Sequence, residues 1–219
     1  MTETGGERPL RADARRNREQ ILAAARDAFV ELGPAAPLEE IARRAGTGIA
    51  TLYRRFPDRA ALIRSVVLDA FERTVAVIDE ALTEEKDPFG ALVHYMHGVL
   101  DVRIAAVIPS LLGEIPFDDE ELEALSRAAV SPIEKLIAEA HEAGTLRADV
   151  TFGDVGMMIV RLSRPLPGSF PRELNDQLAH RHLDLLVHGL RGDSASKPDL
   201  HGPAITMADL REMRPELPE

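Results

Sequence analysis

Pro37–Phe56 reads PLEEIARRAGTGIATLYRRF. Two short helical segments flank a glycine corner here, about Leu38 to Arg44 and about Ile49 to Arg55. Where two helices cross closely, one backbone needs a small side chain at the contact, and Ala42 supplies it. Four residues on, the turn needs a positive φ, which Gly46 adopts without steric cost. Ile41, Ala45 and Leu52 fall where they can face a preceding helix. This is the pattern of a helix-turn-helix, whose second helix lies in the major groove of DNA. An Ala-xxx-Gly pair alone also fits an ordinary αα corner, so the flanking sequence carries weight.

Upstream, Ile21, Ala25, Ala28, Phe29 and Leu32 form one helical stripe. The spacing predicts a helix from about Asn17 to Leu32, stopped by Gly33-Pro34. Downstream, Pro57-Asp58 breaks the chain, and Asp58 is an N-cap for a long helix from Arg59 to about Leu82. The rest reads as helix throughout. Segments are expected from Pro88 with a stripe through Leu100, and at 104–112 (interrupted by Pro109), 119–143 (kinked or split at Pro132), 152–163 and 172–190. No strand alternation appears, so the fold class is all-α: a three-helix head with the helix-turn-helix, then a C-terminal helical domain. The expected division is a flexible arm at 1–14, a head at 15–74 with its motif at 37–56, a helical domain at 75–191 and a flexible tail at 192–219.

The chain has 219 residues and a formal net charge of −11. That charge is unevenly spread. Residues 1–73 hold 13 Arg and 11 Asp/Glu, a net of +2, and the remainder carries −13. An acidic body orients such a head towards phosphate. The absence of Cys rules out disulfides and thiolate metal sites. There is no apolar run of membrane-spanning length and no signal-peptide pattern. A cytoplasmic protein that touches no membrane is the expectation. An enzyme is not expected, because Gly-rich phosphate loops, nucleophile elbows and HExxH are all missing.

The stretch from Arg16 to Val67 resembles the tetracycline-repressor (TetR) family of regulators. The matching residues are Ile21-Leu22-Ala23-Ala24-Ala25, Phe29, Gly33, Ile41-Ala42, Ala45-Gly46, Thr51-Leu52-Tyr53, Phe56-Pro57 and Ala61-Leu62. Ala143–Asp149 and Leu183–Leu190 are weaker landmarks of the same family. The resemblance implies that Thr51 and Tyr53 contact phosphates or bases, that Phe56 packs, and that Arg59 stands where a phosphate-binding Lys is common. Thr47, Gly48, Ile49 and Ala50 would open the recognition helix and face the groove. The sequence departs from the family pattern at Thr47, where Val is frequent, and at Gly48, where Ser often caps the helix.

Charge alone adds Arg16, Arg44, Arg54 and Arg55 as phosphate partners. Thr47, Thr51, Tyr53, Arg54 and Arg55 are within reach of base edges. The alternative for the arginine pairs is a solvated helix face paired with Glu39 and Glu40.

The resemblance also implies ligand binding and dimerisation by the acidic half. A pocket would be lined by Tyr95, Met96, Val99, Arg103, Val107 and Leu111, with Phe117, Leu136, Met157, Met158 and Arg161 from later helices. Each of these positions also fits plain core. The last two helices would pair across a two-fold axis through Val155, Ile159, Leu162, Leu174, Leu178, His182 and Leu185. The alternative there is intramolecular core. His94 and His97 at i, i+3 lack a third ligand at helical spacing, so neither a metal nor another cofactor is expected. The expected function is a DNA-binding regulator, a repressor released from operator DNA by a small molecule and acting as a homodimer. The competing reading is a helical protein-binding module without sequence-specific DNA binding.

Overall fold

The computed structural model describes residues 7–111, 114, 119–166, 171–192, 200, 202–206 and 208–209. Their helices are α1 (Glu7–Leu32), α2 (Leu38–Arg44), α3 (Ile49–Arg55), α4 (Arg59–Glu84), α5 (Pro88–Val102), α6 (Ile104–Leu111), α7 (Glu120–Glu142), α8 (Phe152–Leu162) and α9 (Arg172–Leu190). Among the described residues no strand forms, and the pairing of Leu146 with Arg191 is an isolated bridge.

Aspartate side chains cap three of these helices, Asp58 among them as expected. Asp58 Oδ1 accepts from the Ala61 N–H at 2.7 Å. Asp87 Oδ2 accepts from Gly90 N at 2.8 Å, with Pro88 in the first turn. Asp119 Oδ1 accepts from Leu122 N at 3.1 Å. At the helix-turn-helix corner Gly46 has φ +65. Gly46 N donates to Arg43 O and Thr47 N to Ala42 O, the paired bonds of a Schellman end.

Two apolar cores share α4. Leu62, Val66 and Phe71 join Ile21, Phe29, Ile41, Leu52 and Phe56 in the first, whereas Ile78 and Ala81 join Phe89, Leu92, Met96, Leu136 and Leu183 in the second. Val107 and Leu111 of α6 and Leu122 and Ala129 of α7 also belong to the first core, so the head packs against the helical body through both elements.

Several boundaries differ from the sequence reading. α1 begins at Glu7, well before Asn17. Its first turns carry no apolar stripe, so periodicity is blind to them, although Arg, Ala, Leu and Glu are good helix formers. The expected arm is therefore helical from residue 7, and residues 1–6 lie outside the described ones. α6 runs through Pro109, and α7 through Pro132. In α7 the carbonyl that loses its donor belongs to Ala128, which is exposed and open to water. The tail also departs from expectation. The Thr151 hydroxyl donates to Ile205 O at 2.8 Å, and Gly153 lies so close beneath Ile205 that a Cβ there would strike its carbonyl. Ile205 thus lies against the start of α8.

Candidate nucleic-acid interface and effector region

α3 presents one face to the core and the other to solvent. Leu52 and Phe56 are 0% and 3% exposed, whereas Tyr53 is 46% exposed. Gly48, Ala50, Arg54 and Arg55 are exposed, and Thr47, Ile49 and Thr51 are half-buried. The anchored side fixes the helix, and the free side gathers one phenol, two guanidiniums and a hydroxyl. Arg54 Nη2 lies 3.5 Å from Thr51 Oγ1. Among the described residues no carboxylate pairs with Arg54 or Arg55, so both cations are available to an anion. Gly48 precedes the helix without a side-chain cap, as its lack of a side chain dictates. Arg16 is exposed on α1, and Arg18 stands 6.0 Å above the Phe56 ring.

Two arginines expected at DNA are otherwise engaged. Arg44 donates through Nε to Glu40 at 2.8 Å and through Nη1 to Glu31 at 2.7 Å. Arg43 forks onto the same Glu40 with two bonds of 2.8 Å. Arg43 and Arg44 together hold the Glu40 carboxyl down to about 2. The solvated-face alternative describes this pair, with Glu40 and Glu31 as the partners. Arg59 Nη1 donates to the carbonyls of Pro34 and Ala36 at 2.9 and 2.6 Å. It ties the start of α4 to the loop before α2, a role that sequence spacing does not reveal.

In the acidic half the expected lining residues do not surround one cavity. Tyr95, Met96, Val99 and Leu136 are core, 0–6% exposed. Burial pushes the Tyr95 phenol well above its usual range. Val107 and Leu111 belong to the head-side core. Met157 and Met158 are half-buried, Arg161 is exposed, and Phe117 lies outside the described residues. A shallow, solvent-open hollow lies among the ends of α5 and α8 and the first half of α9. Arg103 and Leu162 line it with Asp101, Arg164, Asp176 and His180. Arg103 closes α5 in a left-handed conformation, φ 55, and its guanidinium pairs with Asp176. Sequence reasoning named Arg103 but missed Asp176 and His180. Their spacing of four on α9 was the available signal.

The expected dimer residues divide by face. Val155 and Ile159 are 1% and 2% exposed inside the chain's own core, so they offer no surface to a partner. Leu162 and Leu178 are half-buried, and His182 is exposed. Leu174, Leu185 and Leu186 are 38%, 65% and 43% exposed. Leu174, Leu178, His182 and Leu185 follow one helical stripe along the outer side of α9.

Glu80, Glu84 and His94 bring ligand atoms within 4.8 Å of one another, and the two carboxylates are exposed. His94 lies 3.9 Å from carboxylate oxygens of Glu84 and Glu85, while His97 faces α9. Among the described residues no helix is long and apolar enough to cross a membrane.

The family model described as bacterial regulatory proteins of the tetR family matches residues 21–66. The model described as the C-terminal domain of SbtR-like transcriptional regulators matches residues 87–192. A TetR regulator from Mycobacterium vanbaalenii is 33% identical, covering 84% of this chain and 99% of its own, with a TM-score of 0.55. Another from Streptomyces coelicolor is 30% identical, covering 81% and 99%, with a TM-score of 0.54. The regulator LfrR of Mycobacterium smegmatis, solved with proflavine, shares the fold at 22% identity, covering 77% and 95%, with a TM-score of 0.52. No protein of curated function matches the sequence.

Proposed function

The chain belongs to the TetR family of DNA-binding transcriptional regulators, and from that premise we propose that it is a homodimeric repressor released from its operator by a small molecule. The exposed face of α3 carries this reading. Tyr53, Arg54 and Arg55 are exposed beside the half-buried Thr51 on a short helix that Leu52 and Phe56 pin to the head. In the proposed complex this face enters the major groove, where a guanidinium bidentate to guanine is the sharpest contact. The exposed Arg16 adds a phosphate contact. The proposed division keeps a head at 15–74 and a helical body at 75–191.

The outer leucine row of α9 is the proposed dimer seam. A two-fold pair of heads then meets half-sites roughly 34–36 Å apart. LfrR holds proflavine, and a small organic effector in the body of this chain is proposed by analogy. Effector and DNA affinities are then reciprocally coupled. The proposed protein acts by binding without catalysis, and it works in the cytoplasm beside its operator.

The test is fluorescence anisotropy of the purified protein with DNA from upstream of its own gene. Specific binding that weakens steeply with salt is expected. Tyr53→Ala should weaken it while the melting temperature stays put. A sharp fall in melting temperature would show Tyr53 to be a core residue. Absence of binding at low salt would favour the protein-binding module.

A further inference from the structure

One face of α9 carries a row of polar residues that meet α1 and α5. Arg172, Asp176, His180 and Asp184 recur every four residues on the side opposite the leucine row. Each meets a partner across the interface. Arg172 Nη1 donates to Asp27 on α1 at 2.7 Å. Asp176 accepts from Arg103 at the end of α5. His180 Nε2 lies 3.1 Å from Asp101 Oδ1. His97 Nε2, on α5, lies 3.2 Å from Asp184 Oδ1. At the centre His97 and His180 meet Nδ1 to Nδ1 at 2.8 Å. Their planes differ by 4°, and their centroids are 5.1 Å apart. That separation is the Nδ1 contact lengthened by one ring radius at each end. The rings are therefore edge to edge in one plane, and the contact is a hydrogen bond, not a stack.

The hydrogens can be counted. An ionised carboxylate only accepts, so each Nε2 must carry a hydrogen. Between the two Nδ1 atoms there is room for one. With none, two lone pairs oppose each other; with two, N–H faces N–H. With both Nε2 atoms donating, the pair holds three ring hydrogens, one more than two neutral imidazoles have. Asp101 and Asp184 set two negative charges against that one positive charge, and the neighbouring Arg103 and Asp176 balance each other.

We propose that His97 and His180 share one proton that clamps the first half of α9 to α5, and that gaining a second proton or losing the shared one releases this half of the helix. Release would also strain the Arg172–Asp27 contact with the head and displace the outer leucine row. The device is a property of this chain's own packing and stands whether or not the proposed operator binding holds.

On the acid side the sign follows from burial. Desolvation, then the charge of the neighbouring His180, hold the His97 pKa below its ordinary value. A released His97 takes up a proton near pH ~6.5, before the clamped one does, so falling pH favours release. On the alkaline side the cause is the opposed lone pairs.

The test uses the full chain labelled with ¹⁵N histidine. Imidazole ¹⁵N spectra and amide exchange of residues 172–184, corrected for intrinsic rate, are followed across the imidazole range. Both Nε2 atoms should be protonated, and both Nδ1 atoms should show shifts between the protonated and bare values. Protection of α9 should peak where the pair holds one proton, with exchange up to about tenfold faster per pH unit on either side, as one linked proton dictates. His180→Gln should flatten this profile. If that variant fails to fold, Asp184→Asn, which keeps the shape but removes a counter-charge, should move the alkaline edge to lower pH. Two rings that titrate independently, an unprotonated Nε2, α9 protection that ignores pH, or an unmoved edge in Asp184→Asn would each overturn the proposal.

Discussion

Arg59 and the loop carbonyl of Ala36 meet at 2.6 Å, and a second bond from the same Nη1 reaches Pro34 O at 2.9 Å. The first residue of α4 thereby holds the connection between α1 and α2, on which the angle of the helix-turn-helix depends. A charged donor on two carbonyls gives Arg59→Ala an expected loss of about 1–3 kcal/mol of stability, together with weaker DNA binding. Urea unfolding and a salt titration of binding separate this from a phosphate role. A residue that only touches phosphate would leave stability intact and lower the salt slope by about one.

Gly46 carries the other constraint on the motif. Its φ is +65, and a Cβ added there would meet nothing within 4 Å. The cost of Gly46→Ala is then purely conformational, about 1–2 kcal/mol for an L-residue in the left-handed region. Chemical denaturation of the variant should show that loss with an unchanged m-value. No loss would mean that the corner relaxes to a negative φ.

How far the sequence could be read depended on whether a residue's role is local. Ala42, Gly46, Leu52 and the Asp58 cap act on neighbours a few positions away, so α2, α3 and the start of α4 were legible. The exposed face of α3 followed from them. Arg44 and Arg59 also have partners that were not legible, because Glu31 and the carbonyls of Pro34 and Ala36 lie across a turn that a charge count does not see. Val107 and Leu111 look like any apolar pair, and only the packing of α6 assigns them to the head-side core. On α9 the leucine row is plain in the sequence. That its opposite face docks through Arg172, Asp176, His180 and Asp184 depends on which way the helix is turned, and residue spacing alone does not specify that.

Arg64 and Asp119 join the head half of α4 to the start of α7. Arg64 also reaches Glu121 at 2.7 Å. The Arg64 guanidinium holds the Asp119 carboxyl below its ordinary value. A depressed carboxylate contributes stability above its unfolded pKa, and that contribution fades as pH falls through the lower folded value. Asp119→Asn keeps a side-chain cap for Leu122 while removing the charge. The wild type should therefore be the more stable at neutral pH, and the gap should close as pH drops below about 4. Thermal melts across that range check it, and a constant gap would show that the ion pair is not the cause.

Leu185 is the most exposed of the outer row on α9, at 65%. A leucine so placed contributes little to the fold of a single chain, so Leu185→Asp should leave monomer stability within about 0.5 kcal/mol. A carboxylate in the proposed seam, repeated on the partner across the two-fold axis, places two like charges in an apolar contact and disfavours pairing. Sedimentation should show a dimer for the wild type and a monomer for the variant at the same concentration. Operator affinity should fall with the dimer, because a lone head holds one half-site. A variant that stays dimeric would move the seam away from this face of α9.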